Sequence, residues 1–258
     1  MIEILLAIFF ITVLLLFLGS GIWVAISMIG VSSIGMILFT SRPVGDAMAT
    51  TIWGASSSWT LTALPLFVWM GEILFRTKLS ENLFEGLAPW LQKLPGGLIH
   101  VNVVGCALFA AISGSSAATV ATVGKMSIPE LRKRKYPEKI LLGSLAGSGT
   151  LGLLIPPSII LIIYGVTVQE SIAKLFIAGI IPGIMIALIF MGYVIIWSLL
   201  NKNKMPLTEE NYSFLNKLSK SKQLIPVILL ILGVIGSIYT GIATATEAAS
   251  LGVVGALI

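Results

Sequence analysis

Two short stretches of this chain carry residue types that can bind ions inside an otherwise apolar sequence. The first is Ile112-Ser113-Gly114-Ser115-Ser116-Ala117-Ala118-Thr119. Serine hydroxyls are hard oxygen ligands, and so are backbone carbonyls freed from a helix by a chain reversal. Both suit a small cation such as Na⁺. Gly114 lets the backbone reverse and lets a ligand approach it. A helix that starts near Ser116 presents partial positive charge at its N-terminus, which attracts an anionic substrate group. The second stretch is Gly147-Ser148-Gly149-Thr150-Leu151-Gly152-Leu153-Leu154-Ile155-Pro156-Pro157-Ser158. Pro156 and Pro157 remove two backbone donors and disfavour helix before them. Plainer readings exist, a small-residue packing site for the first and a proline kink for the second. Three serines and a glycine together exceed what close packing needs, and the two stretches adjoin in sequence and can share one polar pocket.

Other reactive types have simpler roles. Glu72 stands four residues before Arg76, the spacing of a helical ion pair. Thr244-Ala245-Thr246-Glu247 spells a capping box. The only histidine, His100, falls at the base of the first stretch, where interfacial placement outweighs a proton relay. Asn102 is suited either to capping or to packing. Cys106, the only cysteine, excludes a disulfide within the chain and reads as a small buried hydrophobe. Ser113 or Ser115 as the nucleophile of an intramembrane hydrolase lacks a second histidine, and His100 is more than two helical turns away. No pair of carboxylates lies on one apolar segment. No glycine-rich phosphate loop ending in Lys-Ser/Thr occurs, so the chain is no ATPase by itself.

The elements that position these residues follow from composition. The chain has 258 residues, 57% hydrophobic and 10% charged. Soluble domains carry roughly 25% charged residues, so this chain must meet lipid. The net charge of +5 does not indicate nucleic acid, because the basic residues cluster between apolar runs as membrane loops do. The first run carries only Glu3, has no positive leader, and is followed at once by another, which argues against a cleaved signal. Apolar runs at 2–18, 22–39, 59–75, 140–166, 173–200, 224–239 and 248 to the end give about seven spanning helices. The run at 98–123 is interrupted by Ser113–Ser116. Residues 76–95 read as an amphipathic helix at the membrane interface, and 201–223 as a polar, lysine-bearing loop.

All basic residues except Arg42 and Lys174 fall in three segments, 76–93, 125–139 and 202–222. The positive-inside rule places all three in the cytoplasm. The 98–123 run therefore enters and leaves on one side, and each arm is too short for a core of roughly 30 Å. A re-entrant helical hairpin with its tip at Ser113–Ser116 satisfies both constraints. The 140–166 span breaks near mid-membrane, where interrupted helices mark transport sites. Counting back from Arg76 leaves the N-terminus outside. The sequence stops inside an apolar run, the pattern of a truncated chain.

These motifs resemble the large membrane subunit of the TRAP (tripartite ATP-independent periplasmic) transporters, of the dicarboxylate permease type. The resemblance rests on Ala63-Leu-Pro-Leu-Phe-Val-Trp-Met-Gly-Glu72, Pro95-Gly-Gly-Leu98 with Asn102, and Phe109-Ala-Ala-Ile-Ser-Gly-Ser-Ser116. It continues in Leu154-Ile-Pro-Pro-Ser158 with Tyr164-Gly165, Leu175-Phe-Ile-Ala-Gly-Ile-Ile-Pro-Gly183, and Thr246-Glu-Ala-Ala249.

The resemblance implies a Na⁺-driven importer of small organic acids, such as C4-dicarboxylates, sialic acid or related carboxylates, in a bacterial inner membrane. It implies two partners, a small four-helix membrane subunit and a periplasmic substrate-binding protein. It also implies an elevator, in which a transport domain slides against a scaffold. On that pattern residues 1–75 are scaffold-type helices, 76–96 the interfacial helix, and 97–170 the hairpin and broken helix of the transport domain. Residues 171–258 complete the first inverted repeat and begin the second. By the same resemblance, Ser113, Gly114, Ser115 and Ser116 form the hairpin tip, and Gly149, Thr150, Pro156 and Pro157 the unwound partner. Ser113, Ser115, Gly149 and Thr150 are the expected Na⁺ ligands; no other cofactor is expected. The family's second hairpin and second Pro-Pro break are missing here. Three alternatives remain: a Na⁺/carboxylate symporter that needs no binding protein, the intramembrane serine hydrolase, and a non-transporting structural module.

Overall fold

The computed structural model describes residues 2–206 and 212–257. Residues 207–211 of the expected polar loop and the final Ile258 lie outside the described residues. The described residues form helices and turns without strands. The chain divides into two compact units, Met1–Ser58 and Trp59–Ile258.

In the first unit, α1 (Ile2–Gly19) and α2 (Val24–Phe39) pack against each other. Gly30 and Gly35 leave room for the rings of Phe17 and Phe10. Phe10 and Phe39 meet edge to face at 5.7 Å. α1 is apolar all round and yet exposed, with Leu5 at 73%. Such a helix needs either a protein core or lipid around it. A third helix, α3 (Val44–Ser56), forms where no apolar run signals a span. Its Thr50 and Thr51 hydroxyls return to the Asp46 and Ala47 carbonyls at 2.9 and 2.8 Å, satisfying polar groups within the helix itself.

The second unit begins with α4 (Ala63–Arg76) and α5 (Leu79–Leu91). Then come α6 (Ile99–Ser113), α7 (Ser116–Lys133), α8 (Glu138–Gly149) and α9 (Ile159–Val168). It closes with α10 (Ile172–Leu200), α11 (Phe214–Ser221), α12 (Ile225–Tyr239) and α13 (Ala245–Leu257). The centre is α6. Twelve of its fifteen residues are buried, and it touches α4, α5, α7, α8 and α10. α10 is the opposite case, with six buried residues among 29. Two stretches of the described residues are long and apolar enough to cross a membrane, Ile172–Leu200 and Phe214–Tyr239. The other apolar helices are shorter: Glu3–Gly19, Val24–Phe39, Ile99–Ser113, Ile159–Val168 and Ala245–Leu257.

α6 and α7 form an antiparallel helical hairpin. Leu98 N–H donates to the Tyr136 hydroxyl at 3.1 Å at its base, Gly105 faces Val123 midway, and Ser113 meets Thr119 at its tip. α6 rises about 22 Å and α7 about 27 Å at 1.5 Å per residue. Small residues allow the close approaches that packing in lipid relies on. Gly71 of α4 seats Ser113, and Gly252 of α13 seats the Met70 sulfur.

The three basic segments converge at one end of this unit. Trp90 donates to the Ser221 hydroxyl at 2.8 Å and Gln223 to the Glu85 carboxylate at 3.0 Å. Lys217 lies over the Trp90 ring. Glu81, Glu85, Lys125, Glu130, Arg134 and Lys220 share the walls of one polar cavity there, about 500 Å³ in volume. Two expectations change in detail. The stretch read as a polar loop contains α11, which lies along α5 with the Phe214 ring edge to face with Trp90, while Leu215 and Leu218 stay exposed. The amphipathic α5 forms as expected, but Leu83, Phe84 and Leu87 are buried within the protein.

The minor residues resolve simply. Arg76 pairs with Glu72 at 2.8 Å. Thr244 N–H donates to the Glu247 carboxylate at 2.8 Å, while Glu247 N–H donates to the Thr244 hydroxyl at 3.4 Å, completing the capping box. Cys106 is free and buried.

Candidate functional site

α6 ends because Gly114 adopts the left-handed conformation (φ 61°) and donates its N–H to the Ala110 carbonyl at 3.1 Å. Ser115 is extended, and its hydroxyl accepts from Ala118 N–H at 3.4 Å, capping α7. Thr119 N–H donates to the Ser115 carbonyl at 2.9 Å. The Ser113 and Thr119 hydroxyls are fully buried and 2.9 Å apart. Ser113 Oγ also accepts from Ser115 N–H at 3.4 Å and lies 3.3 Å from the Ser115 carbonyl. Its hydrogen-bonding capacity is therefore used inside the turn. Ser116 differs. Its Oγ is buried and has no partner among the described residues, a condition that costs about 1–3 kcal/mol unless something else satisfies it.

The second stretch breaks as its prolines and glycines require. α8 stops at Gly149, and 150–153 tighten into a 3₁₀ turn. Leu154 and Ile155 N–H both reach the Leu151 carbonyl, at 3.0 and 2.8 Å. The Pro156–Pro157 bond is cis. Ser158 is fully buried and donates to the Leu153 carbonyl at 2.7 Å. α9 then begins at Ile159. The Thr150 hydroxyl is exposed and turned back to the Gly147 carbonyl at 2.7 Å.

The two stretches meet backbone to backbone. Ile159 N–H donates to the Gly114 carbonyl at 3.2 Å. A Cβ on Gly114 would lie 2.8 Å from the Pro157 oxygen, and one on Gly152 would lie 2.9 Å from Ser116 N. Gly149 lies against the Val120 side chain. From behind, α10 supports the break. Gly179 approaches the Leu154 carbonyl and Gly183 the Ile155 side chain. All eight residues singled out from sequence thus belong to the tip, to the break, or to the contact between them.

Beside this contact, Asn102 ties α6 to α8, its amide donating to the Leu141 carbonyl at 3.3 Å and the Ser144 hydroxyl at 3.0 Å. Its packing role is thereby decided. His100 sits at the hairpin base as expected, but it is fully buried, and its Nε2 lies 2.8 Å from the Pro95 carbonyl. It shares α6 with Ser113 thirteen residues away, about 20 Å along the axis, too far to serve it as a base. Three contributors escaped the sequence argument. Thr119 and Ser158 carried a signal, since both fall within the quoted motifs. Gly71 also falls within a quoted segment, but nothing there tied it to the tip, because only the fold brings α4 to it.

Helices with exposed apolar side chains, together with a buried, glycine-seated hairpin, indicate an integral membrane protein. The comparisons with known proteins then specify which kind. Residues 10–258 match the family described as "Tripartite ATP-independent periplasmic transporter, DctM component". The chain is 34% identical over 226 residues to the C4-dicarboxylate TRAP transporter large permease protein DctM of Pseudomonas aeruginosa, covering 88% of this chain and 52% of that one. Against the sialic acid TRAP transporter large permease protein SiaM of Vibrio cholerae, it is 34% identical over 236 residues, 91% of this chain and 54% of the relative. Against the ectoine/5-hydroxyectoine large permease protein UehC of Ruegeria pomeroyi, the values are 32%, 255 residues, 96% and 58%. The chain belongs to the TRAP transporter large permease family, which is a family of transport proteins and not of enzymes. It spans about half the length of the curated relatives it matches.

Proposed function

We propose that the chain contributes one half of the cargo path in a Na⁺-coupled TRAP importer of small organic acids. On this reading α6 and α7 are a re-entrant hairpin entered from the cytoplasmic side, among about seven spans of a bacterial inner membrane. The end where the basic segments meet faces the cytoplasm, and the N-terminus faces the periplasm. The tip and the break hold one Na⁺ and one side of the carboxylate site, within a transport domain that moves as an elevator against a scaffold. A small four-helix membrane subunit and a periplasmic binding protein complete the assembly. The names of the relatives support carboxylate and related small cargo without selecting one.

The observation that carries this reading is the backbone closure of tip on break, with the Ser116 oxygen buried beside it and unpartnered. Irregular backbone in a membrane is tolerated where it is buried or lines a wet cavity, and its carbonyls can replace water around a cation. The Ser115 cap aligns the start of α7, whose dipole favours an anion. Because Ser113 is engaged by Thr119 and by the Ser115 backbone, its part is to hold the turn. The Ser115 carbonyl is likewise engaged, by Thr119 N–H and the Ser113 hydroxyl, so the Ser116 hydroxyl and the carbonyls near Gly149 and Thr150 are the oxygens we assign to Na⁺.

The test uses the complete permease with both partners in proteoliposomes under a Na⁺ gradient. Removing one ligand oxygen with Ser116→Ala should raise the Na⁺ concentration for half-maximal uptake about 10-fold or more, the effect of losing roughly 1.5–3 kcal/mol. Insertion and the substrate affinity of the binding protein should not change. An unaltered Na⁺ dependence would remove the site assignment, and uptake without Na⁺ would remove the coupling.

A further inference from the structure

A groove of about 580 Å³ runs between α8 and α10, outside the tip and the break. The two helices are antiparallel, so their register fixes its shape. Gly147 touches the Phe190 ring and closes the deep end. One turn nearer the start of α8, Gly143 has nothing within 4 Å of where a side chain would begin. Ile189 and Tyr193 form its exposed wall, while Ile140 and Val194 form its buried floor. At the mouth stand Lys139 and Trp197. Lys202 and Lys204 follow α10 at the same end.

The mouth lies at the end of the unit where the basic segments meet. Among the described residues the side-chain ammonium groups of Lys139, Lys202 and Lys204 have no hydrogen-bond or ion-pair partner, whereas Arg132 and Arg134 pair with Glu138 and Glu130. An apolar trough, aromatic residues along its wall and at its mouth, and lysines beyond them match the parts of one molecule. Tyr and Trp prefer the headgroup level, and basic pockets between membrane helices on the cytoplasmic side recognise anionic headgroups. We propose that this groove is a binding site for an anionic glycerophospholipid. One acyl chain lies over Gly143 between Ile189 and Tyr193, and the phosphate sits at Lys139 with Lys202 and Lys204 close by. The inference rests on the proposed function for the cytoplasmic orientation of the basic end, and it stands independently of the cargo reading.

The experiment is lipid retention by the purified chain, measured by native mass spectrometry. Detergent-solubilised protein is offered phosphatidylglycerol and phosphatidylcholine of identical chains at equal concentration. The wild-type chain should retain the anionic lipid several-fold better. Lys139→Gln should lower that preference about fivefold, the weight of one lysine near an anionic surface. This variant changes an exposed side chain and leaves the fold intact. Gly143→Leu fills open space with a better helix former and should reduce retention of both lipids to background. Equal retention of the two lipids by the wild type overturns the proposal. So does retention that survives Gly143→Leu. A dimer that Gly143→Leu dissociates, with lipid binding unaltered, would give the groove to a second copy and likewise overturn it.

Discussion

Glycines bring backbones together in both units of this chain, but what they meet differs. In the first unit Gly35 faces the Phe10 ring and Gly30 the Phe17 ring, the far ends of side chains that can swing. In the second unit Gly114 faces the Pro157 carbonyl oxygen, and Gly152 faces the Ser116 nitrogen and the Ser115 carbonyl carbon. Backbone held on both sides by helices has no comparable freedom to yield. The same residue type therefore does two jobs. In α1 and α2 it permits close packing. At the tip and the break it fixes the separation of two irregular segments, and with it the places their carbonyl oxygens occupy. Enforced geometry of that kind is what an ion site requires and what a packing seam does not.

The sharpest way to break this comparison is Gly114→Ala. The left-handed backbone conformation costs a side-chain-bearing residue about 1–2 kcal/mol, and the new methyl would press on the Pro157 oxygen. The two effects together should destabilise the chain by about 3 kcal/mol, measured by denaturant unfolding in detergent micelles. The Ile159 amide, which donates to the Gly114 carbonyl, should lose hydrogen-exchange protection first. Gly114→Asn separates the causes, because Asn tolerates the left-handed conformation but keeps the clash. A loss below about 1 kcal/mol for both variants would show that the tip is free to move off the break. Gly152→Ala comes next. Gly152 lies in the 3₁₀ turn, where its φ is one any residue adopts, so only the contact with Ser115 and Ser116 is tested, at about 1–3 kcal/mol.

Much of this region was legible in the sequence because breaking a helix is a local act. Pro156, Pro157 and the glycines before them stop α8 wherever the chain folds, and Ser113–Ser116 interrupt an apolar run whether or not anything binds there. The charge pattern was legible too, and the structure brings the three basic segments to one end of the second unit. What stayed hidden depended on partners distant in sequence. Nothing local showed that Gly71 would seat Ser113, or that Gly179 would receive the Leu154 carbonyl. Nor did composition reveal that the Ser113 hydroxyl would be consumed within the turn while Ser116 kept a bare oxygen, since the two serines look alike in sequence. α3 was missed because hydrophobicity sought spans, and its threonines satisfy their hydroxyls on the helix's own carbonyls. α11 was missed because lysines outnumber its three apolar residues in the segment as a whole.

In the first unit the comparison predicts tolerance. Gly35→Ala puts a methyl 2.8 Å from Phe10 Cε1 and 3.0 Å from Cζ. The ring can turn away, although it gives up part of its edge-to-face contacts with Phe9 and Phe39. Helix propensity favours alanine over glycine by about 1 kcal/mol, offsetting much of that loss. The net change should fall within about 1 kcal/mol of zero, read from the exchange protection of α1 and α2 amides. A loss as large as that of Gly152→Ala would erase the distinction between ring and backbone neighbours.

The smallest effect belongs to a contact of a third kind, a charged pair in solvent at the base of the hairpin. Arg132, in the last turn of α7, donates to the carboxylate of Glu138, in the first turn of α8. That hydrogen bond, with the Arg132 charge, holds the Glu138 carboxyl below its ordinary value of 4.5. A depressed carboxylate pKa contributes stability that is complete above the unfolded value and is lost as pH falls through the folded one. Protection of the first α8 amides should therefore be level from pH 7 down to about pH 5 and decline only below that. Glu138→Gln should abolish the decline, leaving the Ile159 amide at the opposite end unaffected. Because both side chains are exposed, the loss should be close to the limit of detection, as it is for most surface ion pairs. If acid loosened the tip as much as the base, the hairpin would be opening as a single body, and rigidity at the tip would depend on charges far from it instead of on the glycine contacts beside it.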